Sequence, residues 1–181
     1  MKKFQLDWLK YMIGFLVCLI IRLIPFRVPN IEPVLITQMP FAKKYGAFSG
    51  FIFGIGSIFI YDLLTGKVGV WTFVTGLVYG LVGIGAYYYF KNKSASPINF
   101  LKYGIIGTLI YDGLTGLTIG PLIFHSSFNE ALIGQIPFTI YHLMGNIFFA
   151  LVISPMIYKW VIENKNLDSQ VIWSRLIKFT S

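Results

Sequence analysis

Long apolar runs broken by short polar or proline-rich punctuation dominate this chain. Six runs predict helices, near residues 8–25, 31–40, 44–64, 69–90, 99–114 and 130–162. The first ends at Pro25. Pro25, Pro29 and Pro33 together forbid regular helix before about residue 31. Pro33 suits the first turn of a short second helix, and Pro40 is expected to end it, too early to cross ~30 Å as a straight rod. The third run carries Gly46, Gly50 and Gly54, two successive GxxxG steps on one face, the strongest packing signal in the chain. The fourth has Gly76, Gly80 and Gly83 near one face, with Trp71 at one end and Tyr87, Tyr88 and Tyr89 at the other, as in an aromatic belt. Residues 91–99 read as a polar loop, and 115–129, without Lys or Arg, as an outer loop or cap. The sixth run is expected to bend at Pro137 or Pro155. After Asn164 an amphipathic tail, 165–181, puts Ile172, Trp173, Leu176 and Ile177 on one face; it lies on the cytoplasmic membrane surface or is a solvated tail.

Composition turns these helices into membrane segments. The chain is 56% hydrophobic and only 12% charged, against roughly 25% charged in soluble domains. Mean hydropathy is +0.71. The expected fold is all-α, a single integral membrane bundle over 1–181 with about six transmembrane helices. The net charge of +8 would point to nucleic acid in a soluble chain; here it reads as positive-inside bias. With the N-terminus in the cytoplasm, 12 of the 15 basic residues fall inside, and only Arg22, Arg27 and Lys67 outside. Both termini are then cytoplasmic. Glu32, Asp62, Asp112 and Glu130 gather at the outer end. The single Cys18 excludes a disulfide framework, and His125 and His142 lack metal-site spacing.

One stretch occurs twice. Residues 51–66 (FIFGIGSIFIYDLLTG) and 101–116 (LKYGIIGTLIYDGLTG) match at 8 of 16 positions, offset by 50. Such a repeat predicts duplicated helical units, here running parallel. It places Tyr61–Asp62 and Tyr111–Asp112 at equivalent helix ends. Those aspartates either cap helices or hold a ligand. Arg22 is positioned to pair with Asp62, Asp112 or Glu32, or to snorkel to the interface. Asn30 and Glu32 sit where the chain re-enters, a place for irregular backbone lining water or protein. Trp71, Tyr61 and Tyr111 either stack on a flat ligand or anchor the interface.

The sixth helix carries Gln135, Thr139, His142 and Asn146 at i, i+4, i+7 and i+11, one face of a helix. Four hydrogen-bonding groups do not face lipid; they are glue between helices or the wall of a cavity opening outward.

Three stretches resemble the substrate-binding S components of energy-coupling factor (ECF) transporters: RVPNIEPV (Arg27 to Val34), KKYG (Lys43–Gly46) and DLLTGKVGVWT (Asp62–Thr72). The similarity covers roughly residues 8–160. It implies uptake of a vitamin-like micronutrient bound near the outer face of the cell membrane, with transport driven by a transmembrane T component and two ATPase subunits as partners. In that family the first helix often docks the T component through an AxxxA face. The nearest equivalent here is Gly14–Cys18, without alanines. No GxxxxGK[ST] occurs, so no ATP cofactor is expected in this chain. A membrane scaffold of the MreD type is the alternative, one that needs no outward polar pocket. A membrane hydrolase using Asp62 and Asp112 would be a third class, but no nucleophile elbow or zinc motif accompanies them, so no catalytic residue is assigned.

Overall fold

A computed structural model describes residues 7–25 and 32–180. Within them the chain forms seven α-helices and no strand: α1 (Trp8–Leu23), α2 (Val34–Tyr45), α3 (Ala47–Leu64), α4 (Val70–Phe90), α5 (Pro97–Ile123), α6 (Phe128–Met156) and α7 (Ser169–Thr180). α6 runs on as a wider π-helical turn, Ile157–Ile162. The four segments Ala47–Leu64, Val70–Phe90, Pro97–Ile123 and Phe128–Ile162 are long and apolar enough to cross a membrane. α1 and α2, with 16 and 12 residues, are about 24 and 18 Å long, so each falls short of a ~30 Å hydrocarbon core as a straight rod.

The shortest of these six helices sits at the centre. Every residue of α2 from Val34 to Ala42 is buried, as expected of a helix that is apolar nearly all round. Phe41 of α2 joins Tyr11 and Phe15 of α1 and Phe53 of α3 in an aromatic cluster with ring centroids 4.5 to 5.5 Å apart. α2 does not stop at Pro40, as the sequence suggests. Pro40 supplies no N–H to the carbonyl of Ile36, and Ser154 of α6 donates its hydroxyl to that oxygen at 2.8 Å. The helix survives its proline because another helix satisfies the orphaned carbonyl.

α3 and α4 pack antiparallel and very close. A Cβ on Gly50 would meet the Gly83 carbonyl oxygen at 2.6 Å, and one on Gly54 would meet the Tyr79 carbonyl carbon at 2.6 Å. The GxxxG face therefore meets α4, and Gln38 of α2 seals the crossing. Its buried amide donates to the carbonyls of Gly50 (2.6 Å) and Tyr79 (2.9 Å). Gly46, at φ 96°, makes the turn between α2 and α3 that an L side chain would strain.

α5 and α6 form the second antiparallel pair. Along their seam Gln135 presses on Gly116, His142 meets Asp112, Asn146 meets Thr108, and Ala150 lies against Gly104. This seam overturns the expected loop at 115–129. α5 continues to Ile123, and only residues 124–127 connect it to α6. The two Leu-Thr-Gly copies thus end differently. Gly66 turns left-handed at φ 67° after α3, whereas Gly116 stays helical beneath Gln135. Asp112 is accordingly eleven residues short of the end of its helix, and its placement does not match that of Asp62. The Gly14–Cys18 face is also used within the chain. Gly14 lies against the Phe41 ring and Cys18 is fully buried, while the exposed side of α1 is the stripe Trp8, Met12, Leu16 and Ile20.

Lys10, Lys43, Lys44, Lys93 and Lys165 collect at one end of the bundle. There Lys43 donates to the Lys93 carbonyl at 2.6 Å. Lys10 bridges to Asp168 at 2.5 Å and donates to the Ile162 carbonyl at 2.9 Å. Asp7 caps α1 and also accepts from the Ser169 amide, so the tail starts clasped to the first helix.

Candidate functional site

The opposite end holds a small cavity of about 220 Å³, lined by Arg22, Glu32, Ile58, Asp62, Trp71, Thr75, Tyr79, Tyr111 and Phe138. A larger open groove of about 810 Å³ lies at the lysine end between α1 and the tail. It contains none of the candidate site residues. The smaller cavity is the candidate site because buried charge and aromatic faces converge on it.

Arg22 sits in the last turn of α1, where the helix dipole favours a cation. Three contacts hold its guanidinium. Nε lies 3.1 Å from Glu32, Nη1 donates to the Ser57 carbonyl at 3.0 Å, and the group stacks over the Tyr61 ring at 3.8 Å. Of the three acids proposed as its partner, Glu32 is the one it meets. Ser57 and Tyr61 are one turn apart on α3, so one helix face fixes the cation. Held this way the guanidinium cannot swing to the surface, and its charge is already answered by Glu32.

Asp62 lies near the end of α3 and accepts from the Thr72 hydroxyl at 2.6 Å. Thr72 in turn accepts from the Gly69 amide at 3.1 Å at the start of α4. The carboxylate therefore clasps the α3–α4 turn. It is buried and forms no ion pair with a described residue. Trp71 leans on the same turn, donating its indole N–H to the Lys67 carbonyl at 3.0 Å and stacking with Phe124.

Two stacked tyrosines close the inner wall. Tyr79 and Tyr111 lie 3.9 Å apart at 25°, and the buried Tyr79 hydroxyl has no hydrogen-bond partner among the described residues. Tyr79 was not among the sequence candidates. Its one signal is its position on the Gly76/Gly80/Gly83 side of α4, which reads as packing alone.

The structure divides the remaining candidates. Arg22, Glu32, Asp62, Trp71 and Tyr111 line the cavity, and Tyr61 lies behind Arg22. Gln135, Thr139, His142, Asn146 and Asp112 do not line it; they belong to the α5–α6 seam. Gln135 donates to Thr139 at 3.1 Å, Asn146 donates to the Thr108 hydroxyl at 2.6 Å, and His142 Nδ1 lies 2.7 Å from Asp112 Oδ1. The polar stripe of α6 thus faces α5, matched by Gly104, Thr108, Asp112 and Gly116 at i, i+4, i+8 and i+12. Asn30 lies outside the described residues, as does Arg27. No cluster of three or more His, Cys, Asp or Glu side chains able to hold a metal occurs among the described residues.

Comparison with protein-family models, with curated proteins and with solved structures finds no match.

Proposed function

We propose that this chain is the substrate-specific membrane component of an ECF-type importer. In this reading it binds a small micronutrient in the Arg22–Asp62–Tyr111 cavity and delivers it inward with a T component and two ATPases. The observation that carries the reading is the cavity itself, a pocket of about 220 Å³ walled by charged and aromatic side chains at one end of an apolar helical bundle. Pockets for drug-sized ligands run from about 300 Å³ upward, so this one suits a smaller molecule. Arg22 pairs with Glu32, which leaves Asp62 as the cavity carboxylate that forms no ion pair with a described residue. Trp71 and the Tyr79–Tyr111 stack offer flat faces. A cationic or neutral planar heterocycle fits this balance better than a polyanion.

The basic end of the bundle faces the cytoplasm in this proposal, the cavity faces outward, and both termini lie inside. α1 and α2 complete a six-helix membrane unit, with α2 screened from lipid by its neighbours. If α1 docks the T component, its exposed Trp8–Ile20 stripe is the available face, since Gly14 and Cys18 are packed inside.

Mass spectrometry of small molecules co-purifying with the detergent-solubilised protein tests the reading. A planar nitrogen heterocycle is expected in near-stoichiometric amount and should be displaced in Asp62→Asn. Absence of any bound small molecule after expression in rich medium, together with no co-purification of a T component, would refute it.

A further inference from the structure

Between α5 and α6 lies a compact layer of four side chains, two from each helix. Asp112 faces His142 at 2.7 Å, and one turn along, Thr108 accepts from Asn146 at 2.6 Å. All four are buried, with at most 1% of any of them exposed. Three of their polar atoms have no partner among the described residues: Asp112 Oδ2, His142 Nε2 and Asn146 Oδ1.

The valence of those atoms is informative. With Asp112 ionised, the 2.7 Å contact requires His142 to donate from Nδ1, which leaves a lone pair on Nε2. Asp112 Oδ2 and Asn146 Oδ1 also offer lone pairs. The Thr108 hydroxyl already accepts from Asn146 and donates to the Gly104 carbonyl at 2.7 Å. The layer then holds one negative charge and three unfilled acceptors, and the donors left beside it, the second Asn146 amide N–H and the Tyr79 hydroxyl, carry no positive charge. A lone buried charge is costly in low dielectric and costlier between membrane helices. Arg22 does not offset it, being engaged by Glu32.

We infer that the Thr108–Asp112–His142–Asn146 layer binds one exchangeable monovalent cation, a sodium ion or a hydrogen ion. A sodium ion is a hard cation and takes oxygen ligands, of which Asp112 Oδ2 and Asn146 Oδ1 supply two. A hydrogen ion on His142 makes an ion pair with Asp112 and turns Nε2 from acceptor to donor. Either ion brings the layer to neutrality. Among the described residues, the other titratable or charged groups facing it are Tyr111 on α5 and Tyr79 on α4, with Arg22 and Glu32 beyond them across the cavity. α2 presents aliphatic Leu35 and Ile36 to this side.

The ion site and the cavity share two walls. Tyr111 lines the cavity and meets the His142 ring edge-on at 5.7 Å; Phe138 lines it too and meets His142 at 5.9 Å. Occupancy of the layer therefore biases the cavity wall through both rings. The inference stands on the buried layer and holds whether or not the importer reading does.

Thermal unfolding of the purified full-length chain in detergent, followed by tryptophan fluorescence, tests it without a ligand. At pH 8 and constant ionic strength, replacing choline chloride with sodium chloride should raise Tm by about 5–10 °C near 100 times the ion's Kd. If the ion is hydrogen, sodium has no effect and moving choline buffer from pH 8 to pH 6 gives the rise instead. Asp112→Asn should abolish whichever response occurs. Two measurements on the Asp112-containing protein stand should that variant not fold: ²²Na⁺ binding, and ¹⁵N resonances of His142 in a His125→Ala background that leaves a single histidine. Bound ²²Na⁺ or an imidazolium at pH 6 supports the site. A flat Tm in both series with neither signal overturns it, as does an undiminished response in Asp112→Asn.

Discussion

Replacing Gly50 tests the packing of the bundle most directly. A Cβ there would lie 2.6 Å from the Gly83 carbonyl oxygen, 2.9 Å from the Gly83 carbonyl carbon and 2.8 Å from the Ala42 Cβ. Two of those three atoms are backbone, so no rotamer change relieves the clash and α3 must move off α4. Overpacking of this kind typically costs about 1–3 kcal/mol. Moving α3 also stretches the 2.6 Å bond from Gln38 to the Gly50 carbonyl, and an orphaned buried amide donor costs about 1–3 kcal/mol. The gain in helix propensity from Gly to Ala, about 1 kcal/mol, offsets only part of this. Gly50→Ala should therefore lose a net ~1–5 kcal/mol, and Gly50→Leu should not accumulate folded protein. The control is Gly113→Ala on α5, where an added Cβ meets nothing within 4 Å and the propensity gain should stand alone. Thermal unfolding in one detergent should lower Tm for Gly50→Ala by at least about 2–4 °C and hold or raise it for Gly113→Ala. Equal Tm values for the two variants would refute the close crossing of α3 and α4.

Three further outcomes follow from particular contacts. Ser154→Ala orphans the Ile36 carbonyl and should cost about 1–3 kcal/mol, but much less in a Pro40→Ala background, where the chain supplies its own N–H; additive Tm losses in the double variant would contradict this account of the helix through Pro40. Asp62→Asn keeps the shape of the clasp to Thr72 but removes the charge, so affinity for a cationic ligand should fall about 10- to 150-fold by equilibrium binding, and an unchanged Kd would remove Asp62 from the site. Cysteine-accessibility labelling of Lys93→Cys and Ser126→Cys should place the first inside and the second outside, and the opposite pattern would invert the proposed orientation.

Helix identity and membrane character were legible in the chain because they depend on local quantities: run length, apolar content and the spacing of glycines. The GxxxG step through Gly50 and the α6 stripe of Gln135, Thr139, His142 and Asn146 were visible as faces, since a helix face is a periodicity. What those faces meet depends on residues distant in sequence, and only the tertiary structure decides that. The stripe suited either the wall of a cavity or packing between helices; it faces α5 because α5 offers Gly104, Thr108, Asp112 and Gly116 in register. Pro40 reads as a helix end in any local rule, yet α2 passes through it because Ser154 arrives from 114 residues away. Leu-Thr-Gly ends α3 but not α5, because Gly116 lies beneath Gln135 while Gly66 is free to turn left-handed. Arg22, Glu32, Asp62, Trp71 and Tyr111 were recognisable as costly or amphipathic groups for a bilayer. Tyr79 and Gln38 were not, because nothing in a lone buried tyrosine or glutamine announces a partner. Chain chemistry set which groups needed partners, and three-dimensional packing chose the partners, because burial and hydrogen-bond geometry exist only once the helices are side by side.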